Sequence, residues 1–305
     1  MKALITGVCG FSGRYLADYL LKKKVSVYGI DIKSGLPSQW AHLKSHIKLY
    51  NASLLDKNRI NFLIRKIRPN YIFHLAGLLK GNDFKELFRV NVLGTRNVLD
   101  AALKVKAKVL ISGSAAEYGF VSRKDLPIKE TTPHRPVNYY GLSKLIQTTM
   151  GYRYFISQRA DVYLTRVFNM TGPGEPDTMV CSALVQQIRK INEQKVKPII
   201  YTGNLSPQRD FIDVRDVVRA YWLVINKGKP GEIYNVCSGR AYSIKEVLAK
   251  LIKISGIKKI IIKQSPDKIK TVDIPIQIGN YRKIRKDTGW KPEISFKQTL
   301  KDILK

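Results

Sequence analysis

Tyr140 and Lys144 stand four residues apart in the stretch YYGLSK. On a helix that spacing places both side chains on one face, a relation that Tyr139 does not have with Lys144. A cation held beside a phenol lowers its pKa from about 10, which equips Tyr140 to exchange a proton near neutral pH. Ser114 follows Gly113 at the end of a strand-like apolar run. A hydroxyl at the carboxyl edge of a sheet can share a substrate oxygen with Tyr140. A YxxxK pair alone is also what a surface helix bearing a tyrosine looks like. It acquires chemical meaning when the same chain carries a nucleotide loop and a strand-end serine.

Such a loop is present in TGVCGFSG, where Gly7, Gly10 and Gly13 follow one strand-like run and open a helical one. The three glycines serve a tight turn, close approach of backbone to a pyrophosphate, and close packing of helix on strand, with the anion at the helix N-terminus. Asp31 closes the second strand-like run, where its carboxylate can accept hydrogen bonds from a ribose diol. Its charge repels the 2′-phosphate of NADP, and Lys33 nearby offsets part of that repulsion. NAD(H) is the expected cofactor, with NADP(H) as the alternative.

Alternating strand and helix patterns must position these groups. Strands are expected at Ala3 to Thr6, Val25 to Ile30, Tyr71 to Leu75, Val109 to Ser112 and Val162 to Val167. Helices are expected at Gly13 to Lys22, Asp56 to Arg68, Asp83 to Leu103 and Tyr140 to Gln158. The continuous apolar character of the strands suits burial on both faces of a parallel sheet. After residue 170 the rhythm changes at Gly172-Pro173-Gly174, with a helix near Val180 to Ile191 and a short strand at Ile199 to Tyr201. Asp213 to Asn226 and Glu232 to Val236 read as helix then strand returning to the main sheet. The expected fold is α/β: a Rossmann-type doubly wound parallel sheet with a smaller C-terminal α/β lobe for substrate. The division is discontinuous, residues 1–168 plus about 210–238 against about 169–209 plus 239–305.

With 305 residues and 44% hydrophobic content, the chain can fill a large core, which excludes a disordered or collagenous chain. No apolar run reaches the roughly 20 residues of a membrane span, and MKALITGVCG opens directly into strand-like sequence without a leader pattern. Cys9, Cys181 and Cys237 are too few and too scattered for a disulfide framework or a metal cluster, so no metal is expected and a reducing cytoplasm fits. The net charge is +31, from 54 Lys+Arg against 23 Asp+Glu. The cations are spread in short groups such as Lys22-Lys23-Lys24 and Lys258-Lys259, without an arginine-rich tail or an aromatic-interleaved basic block. A solvated surface accounts for them without a specific nucleic acid partner, and attraction for a phosphate-bearing substrate is the competing account.

TGVCGFSG, HLAG (His74 to Gly77), Asn91 in VNVLGTRNVLDAA, SGSAAEYG and YYGLSK together resemble the extended short-chain dehydrogenase/reductase family, whose members reduce, epimerise or dehydrate nucleotide sugars. The resemblance implies Tyr140 as acid/base, Lys144 on the nicotinamide ribose, and Ser114 on the sugar oxygen. It implies further cofactor contacts from Gly7, Gly10, Phe11, Ser12, Gly13, Asp31, Ser53, Leu54, Leu75, Ala76 and Asn91. His74, on a buried strand, is read as packing. In the second half, TRVFNMTGPG, PIIYTGNLSPQRDFIDVRDVVRAYW, GEIYNVCSG and TGWKP are similar to the GDP-6-deoxy-D-mannose reductases, which reduce GDP-4-keto-6-deoxy-D-mannose to GDP-D-rhamnose. By this likeness Asn169 contacts the diphosphate or sugar, and Arg209 pairs with the diphosphate through its planar fork. An ion pair of Arg209 with Asp210 or Asp213 is the competing reading. A homodimer through the two long helices is implied as well.

Two positions depart from the family pattern. Ser53 stands near the place of the acidic residue that usually contacts adenine, and Lys270 stands where the reductases tend to carry an arginine for the nucleotide. Dehydratases need a glutamate to remove the C5 proton; aligned on Tyr118-Gly119, that place holds Ala116. Glu117 is one position on, which turns its side chain to the other face if the segment is extended. A 4-ketoreductase is therefore expected, with a 4-epimerase as runner-up, a 4,6-dehydratase behind it, and, outside enzymes, a cofactor-binding protein that uses its basic surface on RNA or an anionic membrane.

Overall fold

The computed structural model describes residues 1–81, 83–268 and 273–305. In chain order the first half runs β1 (Lys2–Thr6), α1 (Phe11–Lys22), β2 (Ser26–Asp31), β3 (Ile47–Asn51), α2 (Lys57–Ile67), β4 (Tyr71–His74), α3 (Phe84–Leu87), α4 (Gly94–Val105), β5 (Lys108–Ser114), α5 (Tyr139–Gln158), β6 (Val162–Val167) and β7 (Asn169–Thr171). The second half runs α6 (Val180–Asn192), β8 (Ile199–Thr202), β9 (Gln208–Asp213), α7 (Val214–Lys227), β10 (Ile233–Val236), β11 (Ala241–Ser243), α8 (Ile244–Ser255), β12 (Ile261–Gln264), β13 (Ile276–Gln277), α9 (Arg282–Thr288) and α10 (Phe296–Leu304).

Seven strands form one parallel sheet in the order β10-β6-β5-β4-β1-β2-β3. Every residue of β6 is buried, as an apolar strand covered on both faces should be. One face packs Leu16, Leu20, Val217, Tyr221 and Val224 of α1 and α7. The other packs Ile60, Leu63, Val98, Leu99 and Tyr154 of α2, α4 and α5. The strand order reverses between β1 and β4, which opens a crevice at the carboxyl ends of the strands. β10 returns to the sheet edge beside β6, with Ile233 opposite Leu164.

A smaller sheet is organised around β9, which pairs in parallel with β7 and β13 and antiparallel with β11. Its core is separate: Leu184, Ile188, Leu251 and Leu300 surround Phe211, whose ring stacks on Phe296 at 5.0 Å between centroids. Ile284 and Trp290, although late in the chain, pack in the core beneath the large sheet, and the Trp290 indole N–H donates to the Asp216 carbonyl at 3.0 Å.

The helix expected from Asp83 to Leu103 is interrupted: a π-helical turn over Phe88–Leu93 separates α3 from α4. The wider turn is where Asn91 points its amide inward, and π-helical turns recur at such functional positions. Asn138 starts α5 by accepting from the Gly141 N–H at 2.8 Å, so Tyr140 lies in the first turn.

His74, at the end of β4, is more than packing. Its Nδ1 lies 2.8 Å from the Thr6 hydroxyl and its Nε2 2.9 Å from the Thr95 hydroxyl, with the ring fully enclosed. Burial first, and the nearby Lys144 second, lower its pKa from 6.5 to about 3. Below pH 6.5 the unfolded chain takes up a proton that the folded one refuses, so stability falls as pH drops from 6.5 toward 3. Between pH 7 and pH 5 the loss is about 2 kcal/mol. His74→Gln keeps a donor and an acceptor without the titration, so urea unfolding at those two pH values should show it losing about 2 kcal/mol less than the wild type. Equal acid losses in the two proteins would contradict the assignment.

Candidate active site

The crevice is a cavity of about 830 Å³. Three parts of the chain wall it. The β1–α1 loop contributes Gly7, Gly10, Phe11 and Ser12, and the strand ends beside it contribute Asp31, Lys33, Ser53, Leu54, Leu75 and Ala76. The end of β5 and the start of α5 contribute Ser114, Ala116, Tyr140 and Lys144, and the smaller sheet contributes Asn169 and Arg209. Gly13 and Asn91 are buried behind this wall.

Close contact shapes the loop. Gly7 adopts φ +75°, and a Cβ there would stand 2.9 Å from the Ala76 backbone. A Cβ on Gly13 would stand 2.1 Å from the Gly7 carbonyl oxygen, so only glycine lets α1 approach β1 this closely. Gly10, the N-cap of α1, offers no capping side chain, and the first turn holds no acidic residue. The positive end of α1 is thereby left to an anion, and the loop fits the diphosphate of a dinucleotide. Asp31 is pinned at the cavity edge, its two oxygens accepting from the Cys9 N–H at 2.9 Å and the Lys33 N–H at 3.0 Å. Asn91 acts from behind: it accepts from the Leu78 N–H and donates to the Leu78 carbonyl and the Ser143 hydroxyl, fixing the segment after β4.

Lys144 is 6% exposed, and its ammonium donates to the Ser112 carbonyl at 2.6 Å and to the Gln147 side-chain carbonyl. Burial lowers its pKa to about 8. The Tyr140 phenol is bonded to the Ser114 side chain, yet its pKa is pushed up to about 12, because burial outweighs the pull of Ser114 and Glu117 adds repulsion. The expectation of a lowered phenol pKa is corrected here. The ammonium directs two of its hydrogen bonds to Ser112 and Gln147, and desolvation of the phenolate dominates.

Glu117 also differs from the extended geometry expected of it. Ala115–Glu117 is a 3-10 turn closed by Ser114, whose hydroxyl accepts from the Ala116 N–H at 3.1 Å while its own N–H donates to Glu117 at 2.8 Å. The turn sends the Glu117 carboxylate into the interior, where it meets Arg166 at 2.7 Å and the Thr148 hydroxyl at 3.1 Å. Arg166 stacks on the Tyr118 ring at 4.7 Å. Ala116 faces the cavity in its place.

Arg209 pairs with neither Asp210 nor Asp213. Its guanidinium reaches Asp273 at 2.5 Å and donates to the Ile274 carbonyl. Asp210 instead accepts from Ser238, Gly239 and Gly279, and Asp213 from Arg215 and Thr299. Asn169 donates to the Asp210 carbonyl at 3.2 Å and to Gln277 at 3.3 Å. Lys270 lies outside the described residues. Asp273, Gln277 and Glu175 also wall the cavity and were not singled out by spacing. Burial raises the Glu175 carboxyl to about 7. VDIP before β13 is the one local sign of Asp273, and its partner is 64 residues away in sequence.

A glycine loop at the strand-order reversal, with tyrosine, lysine and serine at the carboxyl edge, is the arrangement of an extended short-chain dehydrogenase/reductase. The chain belongs to the GDP-mannose 4,6 dehydratase family, whose model matches residues 4–303, and it is a nucleotide-sugar-modifying enzyme of that family. It is 30% identical to the GDP-6-deoxy-D-mannose reductase of Pseudomonas aeruginosa over 309 residues, covering 99% of this chain and 96% of that one. It is 29% identical to the GDP-6-deoxy-D-talose 4-dehydrogenase of Aggregatibacter actinomycetemcomitans, covering 93% and 90%. The solved structure of RMD from Pseudomonas aeruginosa complexed with NADPH superposes with a TM-score of 0.86 at 28% identity, covering 99% of this chain and 97% of that one. No described helix is long and apolar enough to cross a membrane.

A phenol held up at about 12 stays protonated through neutral pH. An ultraviolet difference titration of wild type against Tyr140→Phe should therefore show no phenolate from Tyr140 below about pH 10. A tyrosinate step near pH 7 that disappears in the variant would contradict it.

Proposed function

We propose that this enzyme is a 4-ketoreductase that converts GDP-4-keto-6-deoxy-D-mannose to GDP-D-rhamnose. The observation that carries the reading is the turn after β5. It presents Ser114 and Ala116 to the cavity beside Tyr140, and it buries Glu117 against Arg166. A phenol and a hydroxyl can serve a carbonyl oxygen there, while alanine cannot remove a carbon-bound proton. The Pseudomonas aeruginosa reductase at 30% identity supports the same substrate.

A nicotinamide dinucleotide supplies the hydride when bound. Gly7, Gly10, Phe11, Ser12 and the α1 N-terminus would hold its diphosphate, with Gly13 and Asn91 shaping that wall from behind. Asp31 would hold the adenosine ribose, and Ser53, Leu54, Leu75 and Ala76 would flank the ring systems. Tyr140 donates the proton to the oxygen formed at C4, and Ser114 hydrogen-bonds the same oxygen. A group that must give a proton has to carry one, and the raised phenol meets that need. Lys144 would bind the nicotinamide ribose. Asn169 and Arg209, with Lys270, would hold the nucleotide sugar between the Rossmann part and the smaller lobe. The pinned Asp31 carboxylate favours NAD(H) over NADP(H), even though the similar RMD structure holds NADPH. A cytoplasmic homodimer belongs to the same proposal: the outer face of α5 leaves Tyr152 and Ile156 exposed.

Incubated with NADH and GDP-4-keto-6-deoxy-D-mannose, the enzyme should consume one NADH per sugar and leave GDP-mannose alone unconverted. Tyr140→Phe should slow turnover by roughly 10²–10⁴-fold. NADH should be preferred to NADPH, and Asp31→Ala should narrow or reverse that preference. Conversion of GDP-mannose to a 4-keto-6-deoxy product would establish a dehydratase instead, and near-normal turnover of the phenylalanine variant would remove Tyr140 from proton transfer.

A further inference from the structure

A line of buried polar groups runs from Lys144 beneath the crevice to β1, and its polarity is set from within. Thr95 gives its hydroxyl proton to the Asn91 carbonyl at 2.6 Å, so toward its other neighbours it can only accept. His74 must therefore present N–H at Nε2, 2.9 Å from the Thr95 hydroxyl oxygen, and its bare Nδ1 accepts from the Thr6 hydroxyl at 2.8 Å. Thr6 in turn accepts from the Ala76 N–H at 3.3 Å. On the other side of Thr95, Gln147 must present its NH₂, at 2.7 Å, which turns its carbonyl to the Lys144 ammonium. Gln147, Thr95, His74 and Thr6 are all enclosed.

From this geometry we infer that Gln147 is the positioning residue of Lys144. Its amide cannot flip without setting two N–H groups against the ammonium and a carbonyl against an oxygen that has no proton to give. Lys144 is thus held between two carbonyls, those of Ser112 and Gln147, beside Tyr140. The line does not conduct protons: an amide interrupts it, and it ends on the Ala76 N–H. The charged and titratable groups around Lys144 are Glu117 in the turn after β5, itself paired with Arg166 of β6, His74 of β4, Tyr140 of α5, and Tyr221 of α7, whose hydroxyl bonds Ser112 Oγ at 2.8 Å. Of these Glu117 alone adds negative charge, so the Gln147 carbonyl, together with that of Ser112, is the neutral part of what keeps the ammonium charged. The inference rests on the proposed role of Lys144 beside Tyr140, and its test separates the two.

Lysine carrying carbon-13 at Cε reports the Lys144 titration by NMR in the full chain, with the resonance assigned by its loss in Lys144→Met. Gln147→Leu should lower the midpoint by about one pH unit and Gln147→Glu should raise it by about as much. Gln147→Met serves as the second apolar variant if leucine does not fold. A side chain that only fills space would not move the midpoint in opposite directions with the two replacements, so equal midpoints, or shifts of one sign, would overturn the inference. In NADH-dependent reduction of the 4-keto sugar, the high-pH limb of kcat should follow the same midpoints. Opposite NMR shifts with no turnover of that sugar by the wild type would sink the reductase reading and leave Gln147 in place; turnover with unmoved midpoints would do the reverse.

Discussion

A lysine ammonium taken out of water at the edge of a parallel sheet is the constraint around which the site is built. A buried charge is tolerated only when hydrogen bonds or opposite charge replace its hydration. Lys144 finds the Ser112 carbonyl at the end of β5 and the Gln147 carbonyl one turn along its own helix. The first requires β5 and α5 to be in register, and the second requires Thr95 and His74 to be placed by α4 and β4. Four elements of the Rossmann part are thereby tied to one nitrogen. The same desolvation raises the neighbouring phenol, so the site pairs an easily lost lysine proton with a firmly held tyrosine proton.

Three carboxylates near the crevice have structural partners. Glu117 pairs with Arg166, Asp31 accepts one backbone N–H on each oxygen at the cavity edge, and Asp210 holds a turn of the smaller lobe. Removing either partner of the Glu117–Arg166 pair would strand a charge in the interior, a loss of about 3–5 kcal/mol. That pair fixes the turn after β5, and the turn decides which side chains face the cavity. The chemistry proposed for the family member in hand therefore follows from one 3-10 turn as much as from Tyr140.

Much of this was legible in the residues. The glycine loop, the strand-end Asp31 and Ser114, and the YxxxK spacing depend on contacts within one βαβ unit or one helix turn, which local pattern records. The return of Glu232 to Val236 to the large sheet was legible too, because an apolar strand after an amphipathic helix has few other places to go. The small sheet was not. β7, β11 and β13 are only two or three residues long, and β9 draws partners from both sides of it in sequence, so no periodicity announces the pairing. Arg209 found Asp273 rather than its neighbours for the same reason. The direction of the Tyr140 shift was missed because spacing shows that a lysine is near, and neither where its hydrogen bonds go nor how far the phenol is desolvated. Gln147 carried no motif, and its meaning appears only when Thr95 and His74 are brought beside it.

In the proposed reaction the Tyr140–Ser114 centre works in a net reduction, in which the hydride leaves the cofactor for good. NADH bearing deuterium on the transferred position of the nicotinamide tests it directly, with the label followed by NMR in the sugar. One deuterium should appear at C4 for every NADH oxidised, in a product of single C4 configuration. Deuterium retained in the cofactor while two C4 epimers interconvert would contradict it.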